Sequence, residues 1–334
     1  MKMKQLAAVI IAGLVFVLVT VTGIFVNQYT KEDKWNLFEK EAEGIIERPV
    51  TDYIGVIRIE GTIMSESTES LILASSEGYV HSQVMEDIDT YMNDKANKGL
   101  LLYINSPGGV VYDVDELYLK LMDYKENTGR PIYAYFGQYA CSGGYYIAMT
   151  ADEIYANRNT ITGSIGVVMT MYDMTGLYEK LGIKEIDIVS GDNKAMGSSG
   201  ASLTEEQQSI LQSQIDETYE LFTSIVSEGR DMDIETVKQL ADGRTYTAKQ
   251  ALDNKLIDGI CRYAEYENAL KAKFDNNITI YENEYGRDNI YSKLFGSLAS
   301  INPFNKKSEY DDIKQELSKI LQSGNGVLMY YAEP

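Results

Sequence analysis

Residues 131–149 have the sequence PIYAYFGQYACSGGYYIAM, and this stretch decides the fold. The apolar run from Pro131 to Phe136 is typical of a buried strand, and a second apolar run begins at Tyr145. Ser142 and two glycines lie between the two runs. A strand, a tight turn and a helix in this order expose a hydroxyl beside a helix N-terminus. The stretch therefore predicts a βα unit with a reactive serine, Ser142, at its turn.

A serine hydroxyl needs a base before it can attack at neutral pH. The 334 residues include a single histidine, His81, which lies in a polar stretch far upstream. A lysine can serve instead, because an apolar cleft lowers the pKa of an ammonium group. Lys194 is the best placed by position, since it lies in a loop of small residues after the apolar segment 186–189. Position alone leaves the choice of lysine open.

A second glycine turn, residues 105–109 with the sequence NSPGG, follows the apolar run 100–104 and precedes a helical pattern. Such a turn could bind phosphate, present a backbone N–H to an oxyanion, or simply connect a strand to a helix. Together with the turn at Ser142 it is more informative. An acyl-transfer site needs one nucleophile and two convergent N–H donors, and these two turns supply both.

The same alternation of strand and helix extends along the chain. Helical spacing of apolar residues runs from Val114 to the stop at Gly129, and Ser202 to Glu205 has the form of a capping box that opens a long helix. We expect strands at 55–61, 99–105, 131–136, 152–156, 165–171 and 185–189. The alternation predicts an α/β fold of βα units around a parallel sheet.

The first residues have the pattern of a membrane anchor. Residues 6–26 carry no charge over 21 positions, and about 20 apolar residues span the hydrocarbon layer. No small-x-small cleavage site follows, so we expect an uncleaved transmembrane segment. Lysines at positions 2 and 4 predict that residues 1–5 are cytoplasmic and that the bulk of the chain is outside the cell. Residues 27–50 form the expected juxtamembrane stalk.

Composition excludes several classes of protein. A formal net charge of −20 argues against nucleic-acid binding, which requires a basic surface. Cys141 and Cys261 are too few for a disulfide framework and lack the spacing of a zinc site. Cys141 adjoins Ser142, but a small buried residue is the better interpretation than a nucleophile.

Four motifs in order carry a resemblance to a known family: INSPGG at 104–109, ACSGGYYIA at 140–148, TGSIGV at 162–167 and SGDNK at 190–194. The chain resembles the signal peptide peptidase A family, membrane-anchored serine proteases of the Clp/crotonase superfold. The similarity covers about residues 53 to 262. It implies a protease domain at 51–265, followed by an extension at 266–334.

The resemblance assigns a role to each candidate residue. Ser142 would be the nucleophile and Lys194 the general base, while the amides of Gly109 and Gly143 would form the oxyanion hole. Ser164 would hydrogen-bond to Lys194 and orient it. No cofactor or metal is implied. The expected substrates are remnant signal peptides and other apolar peptides at the outer face of the membrane. A chain with one such module implies a homo-oligomeric ring.

Alternatives remain at this stage. A crotonase-like acyl-CoA enzyme would use oxyanion amides without a covalent serine, although the predicted anchor and the acidic charge argue against it. A non-catalytic scaffold is the other alternative.

The extension also has two interpretations. It contains an amphipathic helix pattern from Ser308 and the apolar stretch 327–332. We expect that stretch at the edge of the chain's own sheet, or else as a substrate-like strand in a protease cleft.

Overall fold

The computed structural model describes residues 48–65, 79–274 and 276–283, together with the backbone of 329–331. The predicted transmembrane segment 6–26, most of the stalk and the helix expected from Ser308 lie outside these residues. Within the described ranges, no helix is both long enough and apolar enough to cross a membrane.

Strands and helices alternate along the described residues. The strands are β1 Tyr53–Glu60, β2 Asn97–Ser106, β3 Gly108–Val110, β4 Ile132–Cys141, β5 Glu153–Ala156, β6 Ile161–Gly163, β7 Thr245–Thr247, β8 Gly259–Ile260, β9 Thr279–Glu282 and β10 Met329–Tyr331. The helices are α1 His81–Asn93, α2 Val111–Thr128, α3 Gly143–Ala148, α4 Thr175–Leu181, α5 Glu205–Gly229, α6 Ile234–Leu240, α7 Ala248–Asp253 and α8 Tyr263–Lys273.

The central sheet has the strand order β7-β6-β4-β2-β1-β9, with β5 paired to β4 and β8 paired to β5. All of its pairings are parallel except the one between β6 and β7. Parallel neighbours need crossover connections, which the intervening helices provide. The predicted α/β fold is therefore confirmed as a mixed α/β fold with a central sheet.

Both faces of the sheet are covered, because alternate residues of each strand point to opposite faces. Along β1, Tyr53, Ile57 and Ile59 join the larger apolar core with residues of α1, α2 and α5. Ile54 and Val56 join a second core with residues of α8. A strand that is buried on both sides has a nearly continuous apolar sequence, as β2 does.

Strand β4 has two different neighbours along its length. Its first half, from Tyr133 to Phe136, pairs with β5, whereas its last three residues, from Tyr139 to Cys141, pair with β6. The carboxyl ends of β4 and β6 therefore lie side by side. The residues that follow these two ends come together at one edge of the sheet.

Two predicted strands are wrong. Residues 165–171 and 185–189 form no strand, and only α4 interrupts the irregular chain between β6 and α5. In 185–189 the apolar residues are exposed, as Ile188 shows at 97% exposure, whereas in 165–171 Ile165 is buried in the core without forming a strand. A strand needs a neighbour to satisfy its backbone, and no strand of the described chain pairs with either segment.

The capping box also lies two residues later than expected. Thr204 caps α5 together with Gln207, while the Ser202 hydroxyl donates a 2.5 Å hydrogen bond to Asp173 Oδ2.

Candidate active site

The backbone at Ser142 is held in a strained conformation between β4 and α3. Its φ of 51° and ψ of −115° lie outside the ordinary regions for a residue with a side chain, at a cost of about 1–3 kcal/mol. The Ser142 N–H donates to the Gly163 carbonyl at 2.7 Å, and its carbonyl accepts from the amides of Tyr145 and Tyr146, both at 2.9 Å. Neighbouring structure on both sides therefore fixes the turn, and the predicted order of strand, turn and helix is present.

The Ser142 hydroxyl is buried and has no hydrogen-bond partner within the described part of the chain. The residue is 1% exposed, and its Oγ is one of two buried side-chain polar atoms without a partner there. Most buried polar groups are hydrogen-bonded, so each exception calls for an explanation, and a catalytic role is one. The structure thus presents a serine hydroxyl that no internal contact uses.

The two glycine turns meet beside this serine. A methyl carbon placed on Gly143 would lie 3.2 Å from the Gly109 nitrogen and 2.7 Å from Val114 Cγ2. One placed on Gly109 would lie only 1.8 Å from the Ile63 carbonyl oxygen. A side chain at either position would force the backbones apart, so this packing requires glycine. The two residues predicted to supply oxyanion amides are brought together.

The local structure around Gly109 differs from the prediction. The glycines at 108 and 109 do not open a helix; they begin β3, and α2 starts only at Val111. The cause is a long-range pairing, since Ile63 forms a parallel bridge to Gly109. The Gly109 amide therefore belongs to a short strand rather than to a helix N-terminus.

Ser164 lies next to Ser142 at the edge of the sheet. Cys141 and Gly163 are paired in parallel strands, so the two serines that follow them are about 5 Å apart in the backbone. Ser164 is 8% exposed, also has a positive φ of 50°, and donates its N–H to the Arg244 carbonyl at 2.8 Å. Its side of the edge opens into a cavity of about 310 Å³, lined also by Tyr219, Asp242 and neighbouring residues.

Lys194 is not brought to this edge by the chain's own fold. It is exposed, in a turn where its N–H donates to the Gly191 carbonyl at 3.0 Å. It lines a cavity of about 460 Å³ together with residues such as Met171 and Leu211, but neither Ser142 nor Ser164 lines that cavity. The structure therefore assembles four of the five predicted site residues and leaves the predicted base elsewhere.

The segment that carries Lys194 has an unusual surface. We call residues 168–203 the arm; residues 181–194 within it are all exposed. The arm contains nine of the fifteen large apolar side chains that are exposed in the described residues. A concentration of exposed large apolar side chains in one segment is typical of an interaction surface. The nine are Val168, Tyr172, Leu177, Leu181, Ile183, Ile186, Ile188, Val189 and Leu203.

Three residues of the stretch 327–332 are described, and they lie beside β3. They form β10, which pairs antiparallel with β3 so that Tyr330 is opposite Gly109. These two strands form a sheet separate from the central one. The favoured expectation, an edge strand of the central sheet, is wrong, because β10 adds to β3 instead.

Cys141 is structural in this arrangement. It ends β4 at 1% exposure, and its thiol donates to the Ile161 carbonyl at 3.4 Å. Burial raises the pKa of this thiol to about 12, although a hydrogen bond to the backbone of Ala140 opposes the shift. A thiol that resists ionisation is a poor nucleophile. Within the described residues, no group of three or more histidine, cysteine or acidic side chains could hold a metal ion.

Known proteins resemble this chain over most of the described fold. Residues 124–276 match peptidase family S49. An Enterococcus faecium protein provisionally named signal peptide peptidase SppA is 36% identical over 231 residues, which cover 68% of this chain and 66% of that protein. A provisionally named protease of Synechocystis sp. is 44% identical over 167 residues, covering 50% of this chain and 60% of that protein. Protease 4 of Haemophilus influenzae is 33% identical over 220 residues, covering 66% of this chain and 34% of that protein.

The chain thus spans about two thirds or less of the length of these relatives. The region that matches the family includes Ser142, Ser164 and Lys194. The order of motifs, the mixed α/β fold and the matches agree, and on these grounds the chain belongs to the signal peptide peptidase A family, peptidase family S49.

Proposed function

We propose that this protein is a serine endopeptidase whose nucleophile is Ser142, on a Clp/crotonase-like module. The observation that carries the proposal is Ser142, in a strained turn, with a buried hydroxyl that has no partner among the described residues, beside the closely packed Gly109 and Gly143. This arrangement combines a strained turn that presents a serine hydroxyl with two candidate amide donors. Acyl transfer requires both a nucleophile and such donors.

The proposed chemistry uses the residues as follows. Ser142 Oγ attacks the scissile carbonyl carbon, and its proton passes to a neutral lysine Nζ. The amides of Gly109 and Gly143 donate hydrogen bonds to the developing oxyanion. The lysine then gives the proton to the leaving amine, so the peptide C–N bond breaks and an acyl-serine remains. Water attacks this ester while the lysine takes its proton. The acyl C–O bond then breaks, the lysine returns the proton to Ser142 Oγ, and the second product leaves with a new carboxyl group.

The base we propose is Lys194 of a neighbouring copy of the chain, within a homo-oligomeric ring. Lys194 is exposed on the arm and lines a cavity that Ser142 does not line, whereas the Ser142 hydroxyl is buried and has no partner within the described part of the chain. Burial of the arm against a neighbour would cover its apolar side chains and carry a lysine toward that neighbour's serine. Such a head-to-tail contact closes into a ring. Ser164, at the same edge as Ser142, would then hydrogen-bond to the incoming lysine Nζ and orient it.

We propose that the substrate is an extended peptide that adds to β3 in the way β10 does, by backbone pairing beside Gly109. Small and apolar residues surround the nucleophile, with Cys141, Gly143 and Gly144 as its neighbours in sequence. This supports small or apolar side chains before the scissile bond, as in remnant signal peptides. The anchor at 6–26 would hold the domain at the outer face of the cell membrane, with the first five residues in the cytoplasm.

The experiment that tests the nucleophile is Ser142→Ala with a fluorogenic apolar peptide and fluorophosphonate labelling. We expect cleavage to fall by at least about a thousandfold and labelling to disappear, because no other group replaces the hydroxyl. Ser213→Ala, at an exposed serine of α5, is the matched control and should behave as the wild type. Undiminished cleavage by Ser142→Ala would refute Ser142 as the nucleophile. Absence of cleavage and labelling in the wild type would leave the crotonase-like or scaffold alternatives.

A mixing experiment tests the shared site. Ser142→Ala and Lys194→Ala subunits are inactive alone, but a mixed ring contains sites with an intact serine from one variant and an intact lysine from the other. Equal mixing should restore about a quarter of wild-type activity, because each functional site needs one particular neighbour pair. Absence of any recovery after subunit exchange, verified by mass measurement, would place both groups in one chain.

A further inference from the structure

The position of Gly109 depends on a segment outside the central sheet. Ile63 donates its N–H to the Gly108 carbonyl, and Val110 donates its N–H to the Ile63 carbonyl, both at 2.9 Å. Because a methyl carbon on Gly109 would lie 1.8 Å from the Ile63 oxygen, the two backbones are as close as they can be. A displacement of Ile63 would therefore displace the Gly109 amide.

A buried carboxylate holds this segment in place. Asp113 Oδ2 accepts the Ser65 N–H at 2.9 Å, and Asp113 Oδ1 accepts the Ser65 hydroxyl. Asp113 is 6% exposed, and it is the only charged residue among the buried polar residues of the described chain. It lies in the first turn of α2, where the helix dipole favours a negative charge.

The same turn of α2 also reaches the second glycine. Val114 packs against Gly143, with Cγ2 2.7 Å from a methyl carbon placed there. The next residue, Asp115, accepts a 2.6 Å hydrogen bond from the Tyr146 hydroxyl of α3. Three consecutive residues thus contact, directly or through Ser65, both sides of the place where the oxyanion would form.

We propose that Asp113 is a positioning residue for the reaction, which sets the Gly109 amide through Ser65 and Ile63. The inference rests on the proposed serine peptidase function. Asp113 touches no reacting atom; it fixes the distance between the Gly109 and Gly143 amides. Oxyanion donors must be held within about 0.5 Å of their productive geometry, so a loosened Ile63 segment lowers the rate of acylation.

The test uses Asp113→Ala, which removes both acceptors, and Asp113→Asn, which can still accept the Ser65 N–H and can donate to its hydroxyl. Ser65→Ala removes the hydroxyl bond alone. Asp123→Ala, at an exposed acid of the same helix, is the control. Fluorophosphonate end-point labelling counts competent Ser142 sites, and kcat is expressed per labelled serine. We expect kcat per site to fall about ten- to a hundredfold in Asp113→Ala and roughly three- to tenfold in Ser65→Ala, with most of the loss recovered in Asp113→Asn.

The outcomes separate the two proposals. A purely structural role would lower the labelled fraction or the melting temperature and leave kcat per labelled serine unchanged, which would overturn the inference. If Asp113→Ala does not fold, Ser65→Ala decides alone by the same measure. Failure of the wild type to label at Ser142 would instead refute the serine peptidase function, before any variant is compared.

Discussion

The edge of the sheet that carries Ser142 and Ser164, here called the serine edge, differs from the arm in burial and in hydrogen bonding. Ser142 and Ser164 are at most 8% exposed and are held by backbone hydrogen bonds to Gly163 and Arg244. The arm is irregular over most of its length and exposes side chains such as Ile188 at 97%. The comparison teaches that a single chain pre-organises its candidate nucleophile but not its candidate base. In the proposed enzyme, the two regions become one site only on assembly.

The largest expected effect tests the arm. Lys194→Arg should lower turnover by about a thousandfold although the charge is kept, because a guanidinium group does not deprotonate and cannot accept the serine proton. Peptide cleavage at fixed subunit concentration measures it, and particle mass should stay unchanged. Lys184→Arg, at another exposed lysine of the arm, is the control. Normal turnover in the Lys194 variant would break the proposed link between the two regions.

A smaller effect is expected at Ser164. Ser164→Ala should slow turnover about ten- to a hundredfold, since it would remove one hydrogen bond to an ammonium group worth about 1.5–3 kcal/mol. The main-chain bond from Ser164 to Arg244 remains, so the melting temperature should change little. Turnover is measured beside Ser213→Ala. An unchanged rate would show that Ser164 is only a turn residue and that Ser142 alone contributes to catalysis at the serine edge.

The strand β10 pairs with β3, where the proposed substrate would bind, so its removal tests whether the serine edge is restrained by the chain itself. Deletion of residues 325–334 removes a strand that occupies β3 beside Gly109, so cleavage of a peptide should rise roughly three- to tenfold. A shorter deletion of residues 332–334 keeps β10 and is the matched control. Peptide cleavage and melting temperature are measured together. A truncated protein that is stable but no more active would show that β10 does not restrain the site.

The smallest expected effect concerns the stability of the fold, through the ion pair between Arg230 and Asp258. Arg230 donates to Asp258 at 2.7 and 3.1 Å, and the Ile154 N–H donates to the same carboxylate at 2.7 Å. Burial alone would raise the pKa of Asp258, but these hydrogen bonds hold it below its usual value. The stabilisation is therefore present above the unfolded pKa of about 3.9 and is lost as the pH falls through the lower folded value.

Asp258→Asn should lower the free energy of unfolding at pH 7 by about 1 kcal/mol, because the carboxylate is partly exposed and screened. The deficit should shrink toward pH 3, as measured by denaturant titration. Asp253→Asn, at an exposed acid of α7, is the control. A deficit that is the same at both pH values would exclude the charge as its cause.

Local patterns in the sequence predicted most of the structure that gathers the serines. Strands β1, β2 and β4 and helices α2 and α5 follow from apolar periodicity, because their burial lies within one chain. Ser142, Gly143 and Ser164 meet because the parallel strands β4 and β6 end at the same edge. The sequence could not predict β3, whose three residues become a strand only through pairing with Ile63 and β10.

The errors in the arm have a different origin. Its apolar residues suggested strands, yet nine of its large apolar side chains are exposed in the described chain, so the pattern indicates a surface rather than a core. Asp113 was missed for a third reason. An acidic residue in the first turn of a helix is ordinary, and only the fold shows that its carboxylate is buried against Ser65.

The crowding at β3 has a consequence for protein engineering. Gly108 and Gly109 offer a neighbouring strand only main-chain groups, and the Ile63 oxygen leaves no space for a larger residue at Gly109. A peptide bound there would be held through its backbone N–H and C=O groups, whatever its amino-acid sequence. In the proposed enzyme, pairing with β3 therefore accepts remnant peptides of many different sequences. Selectivity would have to be engineered in the residues that contact the side chains of the bound peptide.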